Sequence, residues 1–303
     1  MSEEMKMKVY LSEDIAPSAF ARLQAACELT DSFENLEEID AILTRNIKIN
    51  REMMERAKKL KLISVHGTGT DLVDVEAARE LGIKVTNVPG ENAQSVAELA
   101  AGFMLSLSKK LKFADAGLKE GRWSRPGHAE LSSREITGKS LGLIGTGSVA
   151  RHLARMMGMG FNMKILCWNP RRTNAECAAM GFEKCDDLKE LFEKCDYVSV
   201  HIPYNSETEG LINADVLSRA KPGLIFINTS RGGIVDEDAL YDALTCGRIA
   251  AAAADVFVKE PPEKDSKLLW LNNFIATPHI GATTEEALER VGNKAVDNIL
   301  LNM

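Results

Sequence analysis

The sequence lacks three features that would set it apart from ordinary globular proteins: a long apolar run, a long basic run and paired cysteines. A membrane-spanning helix needs about 20 consecutive apolar residues, and no run approaches that length. The first ten residues, MSEEMKMKVY, also lack the apolar core of a signal peptide, because charges interrupt them. We therefore expect a soluble, cytoplasmic protein that has no membrane partner.

Charge and cysteine spacing exclude further classes. A formal net charge of −7 and an isoelectric point near 5.5 do not suit a protein that must neutralise many phosphates, so we expect no nucleic-acid partner. The cysteines show neither a C-x-x-C pair nor a matching histidine cluster, which argues against a disulfide framework and against a metal site. We expect reduced thiols in or near the core at Cys27, Cys167, Cys177, Cys185, Cys195 and Cys246.

Short apolar runs alternate with amphipathic segments along most of the 303 residues, 45% of which are apolar. This alternation is typical of β-α units wound into parallel sheets, so the predicted class is α/β with two Rossmann-like, doubly wound parallel-sheet domains and an active-site cleft between them. The predicted strands of the first sheet are KVYLS, AILT, KLISV and IKVTNV. Those of the second are SLGLIG, KILCW, YVSVHIP, LIFINTS, IAAAAADVF and NNFIAT.

Two long helical segments bear on the domain boundaries. Residues 91–121 have helical periodicity and follow the first set of strands. The last segment, which opens with the plausible helix cap TTEE, has an apolar stripe at Ala287, Leu288, Val291, Ala295, Ile299 and Leu300. If this last helix returns to the first sheet, residues 1–90 and 281–303 form a substrate-binding, flavodoxin-like domain, and residues 91–280 form a dinucleotide-binding domain.

A glycine-rich turn identifies the nucleotide site. The stretch GLIGTGSVA places Gly145, Gly147 and Ala150 in the pattern G-x-G-x-x-G/A, directly after a strand and at the start of a helix. Gly145 permits the tight turn, Gly147 lets the backbone approach a pyrophosphate, and the helix N-terminus supplies free N–H groups. The predicted contacts to the dinucleotide are Gly145, Thr146, Gly147, Ser148 and Val149.

The end of the next strand bears on the choice between NAD and NADP. Asn169 lies 24 residues after Gly145, where an acidic residue would bond the ribose 2′-hydroxyl of NAD. That acid is missing, and Arg171 and Arg172 follow, which suit a 2′-phosphate. We predict that NADP is accepted and preferred over NAD, while the alternative is that both arginines are merely solvated.

Three further polar residues follow predicted strands at the edge where ligands bind in open α/β sheets. Arg231 lies in INTSRGGIVDEDAL, Glu260 in DVFVKEPP and His279 in TPHIG. A guanidinium can hold a carboxylate and polarise the neighbouring carbonyl, and a histidine paired with a carboxylate can donate and accept a proton near neutral pH. The set favours catalysis over three separate structural roles.

At this point the sequence resembles a known family, the NAD(P)-dependent D-2-hydroxyacid dehydrogenases, over nearly the whole chain. The motifs that carry the resemblance occur in the family's order: HGTGTDLVDVEAARELGIKVTNVPGENAQSVAE, GKSLGLIGTGSVA, HIPYNSETEGLI, INTSRGGIVDEDAL, DVFVKEPP and TPHIGATTEEA. The resemblance implies an oxidoreductase that transfers a hydride between the nicotinamide and the second carbon of a D-2-hydroxy or 2-oxo acid. It also implies a homodimer built through the helix after residue 91.

The resemblance implies roles for individual residues. Arg231, Glu260 and His279 match the family's catalytic set, and Asp255 matches the residue near the nicotinamide amide. The remaining cofactor contacts are expected at His201, Pro203, Thr208, Thr229 and Gly281. The loop HGTG matches the backbone that holds the substrate carboxylate, through Thr68 and Gly69.

Within the family, the motifs indicate two substrates. Arg45 and Arg125 resemble arginines of D-3-phosphoglycerate dehydrogenases that could meet a phosphate, whereas WNPRR resembles NADPH-dependent reductases of glyoxylate and hydroxypyruvate. His66 and Ala150 depart from the family's pattern. We favour the phosphoglycerate type, and because the chain ends after the last helix, we expect no regulatory domain and no serine feedback through one. A nucleotide-sensing corepressor is the alternative of another class, although it would need no proton donor.

Overall fold

The structure is a computed structural model, which describes residues 6–123, 127 and 129–302. The chain divides into two compact units, residues 1–92 with 282–303 and residues 93–281. The sequence predicts divisions at 90/91 and 280/281. Within the described ranges, no helix has both the length and the apolar character that a membrane span requires.

The first unit contains a five-stranded parallel sheet. Its strands are β1 (Lys8–Leu11), β2 (Glu28–Thr30), β3 (Ala41–Thr44), β4 (Leu62–Val65) and β5 (Lys84–Thr86). Their spatial order is β2-β1-β3-β4-β5, so the winding reverses between β1 and β3. Every residue of β3 and β4 is buried, as expected for central strands that are covered on both faces. The helices between these strands are α1 (Pro17–Ala26), α2 (Arg51–Arg56) and α3 (Val75–Glu80).

The second unit contains a seven-stranded parallel sheet. Its strands are β6 (Ser140–Ile144), β7 (Lys164–Trp168), β8 (Glu183–Cys185), β9 (Tyr197–Val200), β10 (Ile225–Asn228), β11 (Ala251–Ala254) and β12 (Phe274–Ala276). The spatial order β12-β11-β10-β9-β6-β7-β8 places its reversal between β6 and β9. The helices are α4 (Ala93–Ser108), α5 (Leu111–Lys119), α6 (Ser148–Phe161), α7 (Asn174–Ala179), α8 (Leu188–Lys194), α9 (Ala214–Ser218) and α10 (Glu237–Thr245).

The last helix, α11 (Glu285–Leu300), belongs to the first unit. Its stripe residues Val291, Ala295 and Ile299 join the core that also contains Ala19 and Leu23 of α1. The Thr284 side chain accepts a hydrogen bond from the Ala287 amide and so caps the helix, as the TTEE pattern predicts. The last helix thus packs in the first unit, to which the sequence predicts that the chain returns.

The structure corrects two details of the sequence-based prediction. The segment 91–121 forms two helices, because Lys110 adopts a left-handed backbone with φ of 54° and ends α4. The strands β2 and β8 were not predicted, because each is a three-residue strand at a sheet edge and carries little apolar pattern. Of the six free cysteines, five are buried and Cys246 is exposed.

Candidate active site

The glycine turn follows β6, beside the point where the second sheet reverses. Gly145 has φ of 97°, and its N–H donates to the Trp168 carbonyl at 2.9 Å. A Cβ on Gly145 would lie 2.5 Å from the His201 carbonyl oxygen, so only glycine lets this turn approach the loop after β9 so closely. Ligands of open α/β sheets bind at such a reversal, because the loops on its two sides diverge and leave a crevice.

The start of α6 fits a pyrophosphate. Gly147 is the N-cap. Among the described residues, no side chain caps the helix, and no atom lies within 4 Å of where a Cβ on Gly147 would stand. Ser148 and Val149 form the first turn and are half-buried, and the amides of a first turn have no partner within the helix. Ala150 is fully buried, which explains why this position requires a small residue where the motif offers glycine or alanine.

The loop after β7 holds Asn169 at the same edge. The Asn169 side-chain amide donates from Nδ2 to the Thr146 hydroxyl at 2.8 Å, and Asn169 Oδ1 accepts from the Arg171 backbone amide at 3.0 Å. Asn169 therefore links the glycine turn to the arginine-bearing loop and places no negative charge there. Thr146 is 4% exposed, so its hydroxyl acts here as an anchor of Asn169.

Both arginines of this loop have exposed carboxylate partners. Arg171 pairs with Glu207 at 3.2 Å, and Arg172 pairs with Glu176 at 3.1 Å. The Arg171 and Glu207 side chains are 77% and 76% exposed, and a pair so open to water contributes little stability. Separating Arg171 from Glu207 would therefore cost little stability.

The loops after β9 and β10 place two unsatisfied polar atoms near the reversal. His201 Nε2 and Thr229 Oγ1 are buried and have no hydrogen-bond partner among the described residues. Burial lowers the pKa of His201 to about 3, so this ring is neutral. Pro203 is exposed, and its carbonyl accepts the Thr208 hydroxyl at 2.8 Å, so Thr208 fixes the shape of this loop.

The three predicted catalytic residues come together. His279 Nδ1 lies 2.7 Å from Glu260 Oε2, and the Phe257 amide donates to Glu260 Oε1 at 3.0 Å. Burial would raise the pKa of Glu260, but the His279 hydrogen bond and charge, the Phe257 amide and the Arg231 charge together lower the pKa. Arg231 donates from Nη1 to the Ser230 carbonyl at 2.8 Å and is half-buried.

The loop that carries His279 is held by Asp255, which is 1% exposed. The Asp255 carboxylate accepts the Thr277 hydroxyl at 2.5 Å and the Ile280 and Gly281 amides at 2.8 Å each. The Asp255 carbonyl also accepts the His279 amide at 2.8 Å. His279 itself has a left-handed backbone with φ of 54°, which is uncommon for a residue with a side chain. Asp255 therefore stabilises this unusual turn.

Two further positions shape the site although sequence reasoning did not single them out. Gly232 directly follows Arg231, and a Cβ there would lie 1.9 Å from the Phe257 carbonyl carbon. The Ser95 hydroxyl donates to the Gly281 carbonyl at 2.6 Å and so holds the end of the His279 loop. In the sequence, Gly232 belongs to a G-G pair after a strand and Ser95 lies on an apolar helix. Neither pattern predicts a contact between segments that are distant in the chain.

The predicted substrate residues are described in part. In the first unit, Arg45 follows β3, and Thr68 and Gly69 lie in the loop after β4. The Thr68 hydroxyl donates to the Val88 carbonyl at 3.3 Å, and the Thr68 carbonyl accepts a hydrogen bond from the Asn87 side-chain amide at 2.6 Å. Arg125 lies outside the described residues.

Over the part of the chain that the structure describes, no three histidine, cysteine, aspartate or glutamate side chains are grouped so that they could hold a metal ion. The chemistry of this edge thus comes from a guanidinium, an imidazole with its carboxylate, and a helix N-terminus beside a glycine turn. This donor set fits a dinucleotide and a small organic acid.

Comparison with known proteins gives the family. The family model described as the NAD-binding domain of D-isomer specific 2-hydroxyacid dehydrogenases matches residues 101–281. The chain belongs to the D-2-hydroxyacid dehydrogenases. It is an NAD(P)-dependent oxidoreductase, and members of this family bind small 2-hydroxy or 2-oxo acids.

Two curated D-2-hydroxyacid dehydrogenases illustrate the similarity. Hydroxypyruvate reductase of Thermotoga maritima is 38% identical, and the match covers 97% of each protein. D-3-phosphoglycerate dehydrogenase of Methanocaldococcus jannaschii is 40% identical over 88% of this chain, but over 50% of its own length. The chain thus spans about half the length of the phosphoglycerate dehydrogenases that it matches.

Two solved structures from the family show both forms of the cofactor. D-lactate dehydrogenase of Aquifex aeolicus, complexed with NAD and lactic acid, has a TM-score of 0.87 and 30% identity, covering 97% of this chain and 95% of that one. The NADPH-dependent glyoxylate/hydroxypyruvate reductase of Sinorhizobium meliloti, in complex with NADP and malonate, has a TM-score of 0.87 and 29% identity, covering 97% and 93%. A nicotinamide cofactor is common to both.

The contacts of Asp255 in this dehydrogenase give a stability prediction. Replacing Asp255 by asparagine should lower the free energy of unfolding by about 3 kcal/mol, because one acceptor oxygen is lost and the new amide group faces other donors. Denaturant unfolding at neutral pH measures the change. The control is Asp215→Asn, since that carboxylate is 66% exposed and paired with Lys189, and its loss should cost under about 1 kcal/mol. Equal costs for the two variants would contradict the anchoring role of Asp255.

Proposed function

We propose that the protein is an NADP(H)-preferring D-2-hydroxyacid dehydrogenase in which Arg231, Glu260 and His279 are the catalytic residues. The observation that carries the proposal is the 2.7 Å contact between His279 Nδ1 and Glu260 Oε2, beside the Arg231 charge. A nucleotide-sensing corepressor would not need this pair, because binding alone requires no proton donor. We further propose that residues 93–281 bind the cofactor and that the first unit binds the substrate.

The proposed mechanism follows from this geometry. The contact with Glu260 engages Nδ1 of His279, so Nε2 is the nitrogen that exchanges a proton with the substrate oxygen. Glu260 orients the ring through this contact, while the Arg231 guanidinium binds the carboxylate and polarises the neighbouring carbonyl. When bound, the nicotinamide supplies the hydride for reduction of the 2-oxo acid and accepts it in the reverse direction.

The cofactor preference rests on the loop after β7. We expect the double variant Arg171→Ala/Arg172→Ala to lower kcat/KM for NADPH by about 10- to 100-fold and to leave kcat/KM for NADH within about twofold, because only NADPH carries the 2′-phosphate. Steady-state kinetics with both cofactors measures this. Arg219→Ala is the control, because Arg219 is also exposed and paired with a glutamate, at 3.4 Å. A wild type that strongly prefers NADH would contradict the proposed preference.

For the substrate, we propose the phosphoglycerate type first. Arg45 supports it, because a guanidinium after β3 stands at the edge where open sheets bind ligands and can hold a phosphate. Hydroxypyruvate is the second candidate, favoured by the Thermotoga maritima reductase that this chain matches over 97% of both lengths. A panel of 2-oxo acids that includes 3-phosphohydroxypyruvate, hydroxypyruvate and glyoxylate, run with NADPH and NADH, decides between them by the loss of reduced-nicotinamide absorbance.

The homodimer implied by the family resemblance stays a prediction. Within its own unit, α4 already packs Ala97, Ala100, Phe103 and Met104 into the core. Another face of this helix, or the neighbouring α5, would have to form the subunit contact. Sedimentation of the purified chain across a range of concentrations tests the prediction.

A further inference from the structure

Three polar residues follow strands at the carboxyl edge of the first sheet, whose winding reverses between β1 and β3. Glu13 follows β1 and Arg45 follows β3, so they stand on the two sides of the reversal. The ends of the two strands are joined directly: the Ser12 amide donates to the Leu43 carbonyl at 3.1 Å, and the Ser12 hydroxyl contacts the Thr44 hydroxyl at 3.2 Å. This is the position at which a doubly wound sheet binds a ligand.

The third member of the cluster is His66, which follows β4. Its amide donates to the Thr44 carbonyl at 2.7 Å, which places it alongside Arg45. His66 is 2% exposed, and its buried Nε2 has no partner among the described residues. Burial, together with the charge of Arg45, lowers the pKa of His66 to about 4, so the ring is neutral near pH 7.

Glu13 is also incompletely satisfied. Its Oε1 is buried without a hydrogen-bond partner within the described ranges. Burial raises the pKa of Glu13, while the Ser12 side chain and the Arg45 charge act in the opposite direction. Because His66 is neutral, the charge that this cluster presents to a ligand is set by Glu13 and Arg45 alone. His66 Nε2 faces α11, 3.5 Å from where a Cβ on Gly292 would stand. A buried carboxylate oxygen without a partner is costly, and a substituent that donates a hydrogen bond would satisfy Glu13 Oε1.

We propose that Glu13 is a specificity-determining residue whose negative charge offsets that of Arg45 and so limits the preference for a phosphorylated substituent on the substrate. The inference rests on the proposed function, because it assigns the cluster to the substituent on the third carbon of the acid. A dianionic phosphate is attracted by Arg45 and repelled by Glu13, whereas a hydroxyl group interacts weakly with both charges. The ratio of affinities for the two forms therefore reports the charge of Glu13.

The test compares phosphorylated and unphosphorylated acids in matched variants. Calorimetry measures the Kd of 3-phosphoglycerate and of D-glycerate at pH about 8, where the phosphate is dianionic. Glu13→Gln should raise the preference for the phosphorylated acid about tenfold, and Arg45→Gln should lower it about tenfold. Glu13→Asp keeps the charge and should stay near the wild type. Asp14→Asn is the control, since Asp14 is an exposed acid in the same loop, and it should change the preference less than about twofold.

An unchanged preference in Glu13→Gln, while Arg45→Gln lowers it, would overturn the role of Glu13. Unchanged preferences in both variants, or no measurable binding of either acid to the wild type, would overturn the assignment of the whole cluster. Thermal melting of each variant verifies that it is folded. Calorimetry measures binding without turnover, so it does not depend on the proposed hydride transfer. If that proposed function were wrong, the wild type would still bind these acids but would not oxidise the reduced cofactor with any 2-oxo acid.

Discussion

Replacing His279 by alanine should lower kcat by about 10²- to 10⁴-fold, which is the range that a positioned acid or base contributes. The Kd for NADPH should stay within about twofold of the wild type, because the proposed contacts to the phosphates come from the turn after β6. Steady-state kinetics with the best acid of the panel gives kcat, and quenching of protein fluorescence by NADPH gives the Kd. A variant that keeps wild-type turnover would eliminate His279 as the proton donor.

Glu260 and a second histidine supply the comparisons for this prediction. Glu260→Gln keeps a side chain of the same size beside Nδ1 but removes its charge, so kcat should fall by a smaller factor than in His279→Ala. His152→Ala is the matched control, because His152 is half-buried on α6 and is not among the proposed catalytic or binding residues. Its kcat should match the wild type within about twofold, which is the background expected of substitutions away from the reacting atoms.

The lowered pKa of Glu260 also gives the direction of a pH effect. A glutamate whose pKa is lower in the folded protein contributes stability that is complete above its ordinary pKa and is lost as the pH falls through the lowered value. The Glu260→Gln variant lacks this contribution. Its free energy of unfolding should therefore depend less steeply on pH on the acid side than that of the wild type, as measured by denaturant unfolding at a series of pH values.

The parts of the fold that follow from local pattern were predictable. The buried runs AILT and SLGLI became central strands, and the G-x-G-x-x-A turn lies between β6 and α6, because strand burial and turn geometry are encoded in neighbouring residues. The helix break at Lys110 was not predictable, because nothing in its sequence neighbourhood marks a left-handed residue.

The candidate site was predictable as a set of residue types on strand ends, but not as a set of partners. The contact of His279 with Glu260 could be proposed because both residues follow neighbouring strands of one sheet. The three donors held by Asp255, and the neutral state of His66 beside Arg45, depend on which loops fold over one another. Such contacts join residues far apart in the chain, and a single sequence does not specify them.

Replacing Gly232 by alanine should destabilise the protein by about 3 kcal/mol or more and should abolish turnover. The new Cβ would lie 1.9 Å from the Phe257 carbonyl carbon and 2.3 Å from the Val258 amide nitrogen. Both atoms are backbone, so neither can rotate away as a flexible side chain would. The loop after β10, which carries Arg231, would have to separate from the loop after β11, which carries Glu260.

Gly158→Ala separates this steric effect from the general effect of replacing glycine. Gly158 lies within α6, and its Cβ would meet Ile165 at 3.7 Å, an ordinary contact. Alanine there should stabilise the protein by about 0.5–1 kcal/mol, because glycine is the weaker helix former. Denaturant unfolding and kcat of both variants provide the measurement. Gly232→Ala could also prove as stable and as active as Gly158→Ala. That result would show that the close approach of the two loops is not required, and would contradict the claim that it positions Arg231 beside Glu260.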